Sequence, residues 1–299
     1  MATTQVILNS SSWQTLRSKG RDYFTLTKPE VNLLILMSTS AGYYLASRGP
    51  FQIAGMLHTL LGTLLVASGT ATLNQWTERA WDAQMRRTAS RPLPSGRVSA
   101  REACVFGVFL SVAGGIYLAV TVNALAAWLA VSTLLSYLLV YTPLKRKTPL
   151  CTALGALPGA APVLIGWAGA SATLSQQAWF LFAILFLWQF PHFLAIAMMY
   201  RDDYARAGYR MLPDFDRDSR FTRAEIVGFT VILVLLTMLP LTDHRTPLYW
   251  TGMLLAGAFL LFHVGRLAGS DSKALARQVV HATVLYLPVI LGIMVAWKA

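Results

Sequence analysis

Three oxygen-bearing side chains, Asn74, Glu78 and Asp82, recur at intervals of four residues towards the end of an apolar run. On an α-helix this spacing keeps them on one face, because four residues overshoot a full turn by only about 40°. A carboxylate inside an apolar run is costly and by default functional. A row of carboxylate and amide oxygens suits Mg²⁺, which proteins usually hold with one or two carboxylates and the phosphates of a substrate. We predict that these three residues bind the metal.

A second acidic pair, Asp202 and Asp203, follows another apolar run and offers a second half of the metal site. Cations surround both acidic segments. This mixture suits a magnesium diphosphate, because acids hold the metal while cations hold the phosphate oxygens. The predicted diphosphate-binding cations are Lys28, Arg86, Arg91, Lys145 and Arg146.

Each of these assignments has a plainer alternative. Acids and bases intermingle on any solvated loop, and Asn74 alone could form a hydrogen bond between helices. Each single cation could reflect the general excess of positive charge at the cytoplasmic ends of membrane helices.

The elements that position these residues are predicted to be membrane helices. Of the 299 residues, 55% are apolar and 13% are charged, the mean hydropathy is +0.51, and a soluble domain carries about 25% charged residues. This composition excludes a disordered chain, and two cysteines exclude a disulfide scaffold. A soluble enzyme of this length could not cover its surface with polar groups.

Nine apolar stretches are long enough to cross a bilayer, which takes about 20 residues. They do not alternate as the strands of a barrel do, so we expect helices. The predicted spans are 29–47, 52–76, 101–121, 124–142, 151–169, 177–200, 224–241, 247–265 and 277–297. They make 29–297 a single transmembrane domain and leave 1–28 as an N-terminal segment.

The cations predict the orientation of these spans. Of the 25 Lys and Arg residues, 22 lie before the first span or in the connections after the even-numbered spans, whereas Arg48, Arg245 and Lys298 lie on the other side. By the positive-inside rule the N-terminus is cytoplasmic. Residues 1–28 contain no apolar h-region, so we expect no cleavable signal peptide. A bacterial inner membrane is favoured over the mitochondrial inner membrane.

Five motifs between about residues 23 and 220 resemble those of the UbiA-type intramembrane prenyltransferases and, within them, the protohaem IX farnesyltransferases. They are LTKP at 26–29, TLNQWTE at 72–78 with DAQMRRT at 82–88, YTPLKR at 141–146, the glycines and prolines within 155–167, and WQFPHF at 188–193 running on to YRDDY at 200–204. After about residue 224 the resemblance is confined to the apolar spans.

The resemblance implies an all-α integral membrane fold in which nine helices ring a central cavity, with a cytoplasmic cap formed by the acidic loops. It also implies an enzyme that transfers a farnesyl group from farnesyl diphosphate to a vinyl group of haem b, with addition of water, giving haem O. The implied cofactor is Mg²⁺, and the implied partners are the two substrates, the lipid bilayer, and haem A synthase or oxidase assembly proteins, with no nucleic acid. The residues implied to act in catalysis are Asn74, Glu78, Asp82 and Asp203.

His192, in the WQFPHF motif, has two interpretations. It is either a satisfied polar residue of the helix bundle or a residue that contacts the haem, as an iron ligand or near the reacting vinyl group. Three positions depart from the family pattern, namely Glu30, Cys151 and Tyr200, and Tyr200 stands where the wider superfamily often has a further acid.

Gly155, Gly159 and Gly166 of the fifth span predict close helix packing.

Three other functions compete with the one that the resemblance implies. A related prenyltransferase could act on a quinone or chlorophyll precursor, although the motifs at 141–146 and 188–193 argue against it. A transporter would need inverted repeats and broken helices near the midplane. A haem-binding assembly factor would have no need for the row of acids.

Overall fold

The computed structural model describes residues 17–239 and 246–298, and within these ranges the chain is helical with no strand. The end of the predicted span 224–241 lies outside the described residues. The long helices are α1 Pro29–Ala46, α2 Ile53–Asp82, α3 Ala100–Thr121, α4 Ala124–Ser136, α5 Cys151–Ser171, α6 Gln176–Met199, α7 Arg220–Thr237, α8 Pro247–Ala268 and α9 Lys273–Ala296. Helix α4 continues through a π-helical turn, Tyr137–Tyr141, into the short helix Thr142–Leu144.

Side chains just before the helices explain several of their starting points. Ser99 and Glu102 form a reciprocal capping box at the start of α3, and the side chain of Asn123 accepts from the amide of Ala126 at the start of α4. Both arrangements satisfy amides that a helix leaves without partners. Pro29 stands at the first position of α1, where its missing N–H costs nothing.

The long helices form a closed ring. Each packs against the next along the chain, and α9 packs against α1. Helices α1 and α5, and likewise α6 and α9, also pack against each other across the ring. Helix α5 lies deepest. In its apolar 18-residue stretch 72% is buried, whereas in that of α3 only 28% is buried.

The outer surface of the ring is apolar. Helix α3 exposes a stripe of large apolar side chains at intervals of three or four residues, namely Val105, Phe109, Val112, Ile116 and Val120. An apolar surface of this extent cannot face water, so it faces lipid. Among the described residues, seven helices are long and apolar enough to cross a membrane. The two other long helices, α1 and α7, are not among these seven. Helix α1 is less apolar because it contains Glu30 and Asn32, and α7 carries three charges in its first six residues.

Glycines allow the innermost helices to approach closely, as predicted for α5. A methyl group at Gly166 would overlap with the backbone carbonyl of Thr39 in α1, and one at Gly42 would overlap with the carbonyl of Val163 in α5. Close contacts between small residues replace the hydrophobic driving force that is missing within a bilayer. A methyl group at Gly159 would collide with the side-chain amide of Gln189, a partner on α6.

Gly166→Ala is therefore expected to destabilise the protein by about 1–3 kcal/mol, because the new methyl group must push α1 away from α5. The measurement is thermal unfolding of the purified protein in detergent. Gly292→Ala in α9 is the matched control, since a methyl group there meets no atom within 4 Å. Equal unfolding temperatures for the two variants would contradict the close contact.

Candidate active site

The predicted row of oxygen ligands lies on a single helix. Helix α2 runs unbroken to Asp82, and Asn74, Glu78 and Asp82 are 2%, 5% and 1% exposed. The amide of Asn74 donates to Glu78 Oε2 at 3.0 Å and approaches Thr142 Oγ1 at 3.3 Å. Two carboxylates are thus buried at one end of the helix, where they require compensating charge.

Three cations supply that charge, one for each member of the row. Lys28 Nζ donates to Asn74 Oδ1 at 3.2 Å. Lys145 Nζ donates to Glu78 Oε1 at 2.8 Å, and Arg91 Nη1 donates to Asp82 Oδ2 at 2.7 Å. The three predicted cations come from separate segments: the turn before α1, the end of the fourth helix and the loop after α2.

The backbone holds Lys28 towards this row. Lys28 has φ of 52° and ψ of 66°, in the left-handed region that residues other than glycine seldom occupy, and Pro29 follows it. Burial, together with the neighbouring charges of Arg91 and Lys145, lowers the pKa of Lys28 to about 7. An anion bound beside Lys28 would favour its charged form.

The π-helical turn positions Lys145. Such turns occur often at functional sites, and Thr142 here donates back to the carbonyl of Tyr137 five residues earlier. The ammonium group of Lys145 lies 4.5 Å from the ring centroid of Tyr141 and 5.9 Å from that of Tyr137, which are cation–π distances. The next residue, Arg146, lies elsewhere, with its guanidinium 4.6 Å from the ring centroid of Trp81.

The loop after α2 links the first acidic segment to the second. Arg87, which the sequence analysis did not single out, donates its backbone amide to Asp203 Oδ2 at 3.3 Å. Its guanidinium covers the ring of Tyr200 at 4.8 Å, so the tyrosine that departs from the family pattern supports a cation. Arg86 is exposed and lines an open cleft together with Arg87, Tyr200 and Asp203.

The two acids of the second segment differ in their surroundings. Asp203 is 8% exposed and also pairs with Arg206 one turn later. Asp202 is exposed and accepts from Lys273 Nζ at 2.6 Å, and this hydrogen bond lowers the pKa of Asp202. Both aspartates line an open cleft of about 370 Å³, together with Arg86, Arg87, Met199 and Tyr200.

Tyr209 lies beside the cations that pair with the row on α2, and sequence reasoning missed it. Its ring lies 6.0 Å from the ammonium group of Lys145. Its hydroxyl is buried and interacts with the carboxylate of Glu78 outside normal hydrogen-bond geometry. Burial and the charge of Glu78 raise the pKa of Tyr209, so the hydroxyl keeps its proton and can donate to an anion.

His192 lies apart from these charges, inside α6. Its Nδ1 is 2.9 Å from Thr283 Oγ1 on α9, and its ring stacks on that of Trp188 with centroids 4.8 Å apart. Thr283 had no signal in the sequence, since a single threonine in an apolar helix is ordinary.

The side chains of α2 have suitable chemistry for Mg²⁺. Within residues 17–239 and 246–298, no group of three or more His, Cys, Asp and Glu side chains is placed to hold a metal ion. Mg²⁺ does not require such a group, because it commonly combines one or two carboxylates with substrate phosphates. Glu78 and Asp82 provide two carboxylates on one helix face, and Asn74 adds an amide oxygen. Binding would require these oxygens to exchange their present cations for the metal.

Comparisons with known proteins identify the family of the sequence. The sequence matches the UbiA prenyltransferase family over residues 35–287. It is also similar to a protoheme IX farnesyltransferase of Solibacter usitatus, with 49% identity over 284 residues that cover 92% of this chain and 97% of that protein.

Solved structures share the fold at low sequence identity. A digeranylgeranylglyceryl phosphate synthase superposes with a TM-score of 0.76 at 18% identity, over 94% of this chain and 99% of that one. A UbiA homologue from Archaeoglobus fulgidus, bound to GPP and Mg²⁺, superposes with a TM-score of 0.65 at 15% identity, over 91% of this chain and 99% of that one.

The buried ion pair between Lys145 and Glu78 is expected to contribute to stability. Lys145→Met leaves Glu78 buried without its cation and is expected to cost about 3 kcal/mol or more of unfolding free energy. Adding Glu78→Gln should recover part of that loss, because the uncompensated charge disappears. Thermal unfolding of the single and double variants provides the measurement.

Lys273→Met is the control for this experiment, since it breaks the exposed pair with Asp202 and surface pairs contribute little. Equal unfolding temperatures for Lys145→Met and Lys273→Met would show that the buried pair contributes no more to stability than the exposed pair.

Proposed function

The chain belongs to the UbiA prenyltransferase family, and we propose that it transfers the farnesyl group of farnesyl diphosphate to a vinyl group of haem b. The bond between farnesyl C1 and oxygen breaks, and diphosphate leaves with the electron pair. Farnesyl C1 bonds to one vinyl carbon, the oxygen of water bonds to its neighbour, and the water releases a proton. The products are haem O and diphosphate.

The observation that carries this proposal is the buried row on α2 with its three cations. The row combines oxygen ligands for a divalent metal with Lys28, Lys145 and Arg91, which can hold phosphate oxygens. The similarity to a protoheme IX farnesyltransferase supports haem b as the acceptor, and the Mg²⁺-bound archaeal homologue supports a divalent metal.

Each group has a defined part in the proposed reaction. Bound Mg²⁺ would polarise the diphosphate and neutralise its charge as the leaving group departs. Asn74, Glu78 and Asp82 would hold the metal from the first acidic segment, and Asp203, with Asp202, would do so from the second. Lys28, Arg91 and Lys145 would then hold phosphate oxygens. Arg86 from its cleft, and Arg146 after leaving the ring of Trp81, would join them. The tyrosines around Lys145 exclude water from the allylic cation that forms.

We propose a specific placement in the membrane as well. Residues 29–297 form one domain of nine spans, including α1 and α7, with the N-terminus in the cytoplasm and the acidic loops as a cytoplasmic cap. The distribution of cations supports this orientation, and the bacterial relative supports a bacterial inner membrane. Haem O would then pass to haem A synthase or to oxidase assembly proteins.

Asp82→Asn is expected to reduce haem O formation by about 100-fold, because it weakens the site where charge develops on the leaving group. Membranes containing the protein are incubated with haem b, farnesyl diphosphate and Mg²⁺, and haem O is measured by mass spectrometry. Asp214→Asn is the control, since Asp214 is exposed and outside the site. No haem O from the unchanged protein would refute the function, whereas full activity of Asp82→Asn would refute the metal role.

The placement predicts which residues a membrane-impermeant maleimide reaches from outside the cell. In a Cys104→Ser, Cys151→Ser background, Arg48→Cys should react in intact spheroplasts, because α1 would carry it across the membrane. Arg217→Cys should react only after permeabilisation. The same labelling pattern for both cysteines would show that the proposed orientation is wrong.

A further inference from the structure

One hydrogen-bond network in the C-terminal third has no part in the diphosphate site. Thr283 on α9 is 0% exposed, and its hydroxyl has two neighbours. It donates to the carbonyl of Val280 at 2.8 Å, and it lies 2.9 Å from His192 Nδ1. A hydroxyl has one proton and can accept further hydrogen bonds. We assign the hydroxyl proton to Val280, and with that assignment the imidazole is the donor in the second contact.

The proton of neutral His192 therefore resides on Nδ1, and Nε2 presents a lone pair. Nε2 has no hydrogen-bond partner among the described residues, so its lone pair is unused. The residue as a whole is 9% exposed.

Trp188 fixes the ring from a second direction. Its indole N–H donates to the backbone carbonyl of Thr283 at 2.7 Å, and its ring lies nearly parallel to that of His192, at 16°. Thr283 of α9 therefore forms hydrogen bonds with both Trp188 and His192 of α6. Histidines that bind metals are held in this way, with one nitrogen donating to a fixed acceptor and the other left for the metal.

We propose that Thr283 is a positioning residue that orients His192 so that its Nε2 binds the iron of the haem substrate. The identity of the substrate rests on the proposed function, and the assignment of the tautomer rests on the network alone. Neutral imidazole is a common axial ligand of haem iron. Seven residues, or about 10 Å of helix, separate His192 from the end of α6, so the macrocycle would lie in the apolar part of the bundle.

The test is a titration of the full-length protein in lipid nanodiscs with ferric haem b, without farnesyl diphosphate. Affinity is read from the Soret band, and axial ligation from electron paramagnetic resonance. Thr283→Val should weaken haem binding by about 10- to 100-fold and alter the axial-ligand spectrum, as expected when the support of a metal ligand is lost. Thr283→Ser keeps the hydroxyl and should retain both properties.

Thr230→Val is the matched control. Thr230 is also 0% exposed, and its hydroxyl donates to the carbonyl of Ile226 within its own helix. It should leave haem affinity and spectrum unchanged. If Thr283→Val fails to fold, His192→Ala keeps the proposal testable: it should lose the axial-ligand spectrum and regain it when imidazole is added.

Two results would overturn the proposal: identical affinity and spectrum in the unchanged protein and Thr283→Val, or a His192→Ala variant that loses turnover but keeps both haem-binding properties. Haem O formation is assayed separately with farnesyl diphosphate and Mg²⁺. Iron ligation by His192 without haem O formation would refute the proposed function alone. Haem O formation without such ligation would refute this inference alone.

Discussion

Burial of negative charge at the end of α2 is the constraint on which the rest of the site depends. Glu78 and Asp82 are almost fully enclosed, and a buried carboxylate is tolerated only with a hydrogen-bonded partner of opposite charge. The partners, Lys145 and Arg91, lie beyond α2, and Lys28 adds a third cation before α1. The end of the fourth helix, the turn before α1 and the loop after α2 must therefore meet at one place.

This arrangement keeps the site charged without exposing it to water. When Lys28 is protonated, the three cations exceed the two carboxylates by one positive charge, before Arg86 and Arg146 are considered, and in that state the cluster favours a polyanion over a simple cation. In the proposed reaction, a metal and a diphosphate would enter together. The acids would then bind the metal and the cations would bind phosphate oxygens, so every charge would remain compensated.

Sequence reasoning could predict the helices and the row on α2, because both follow from periodicity along one segment. It could not predict which cation serves which acid, since that depends on how separate segments meet. Lys145 and Arg146 are adjacent and were assigned the same role, yet a helical turn directs the first to Glu78 and the second over Trp81. Arg87 escaped notice because its backbone amide, which carries no sequence signal, contacts Asp203.

The family match runs on to residue 287, so the resemblance extends beyond the predicted limit near residue 220 and includes most of α9. The charged motifs lie before residue 220, whereas α9 presents a hydroxyl and a carbonyl at Thr283. Helix α6 joins the two regions, since it carries His192 in its interior and leads into the segment of Asp203. A change in how α6 packs against α9 would therefore move His192 while leaving the pairs on α2 intact. In the proposed reaction, acceptor binding and diphosphate binding would thus depend on different helix contacts.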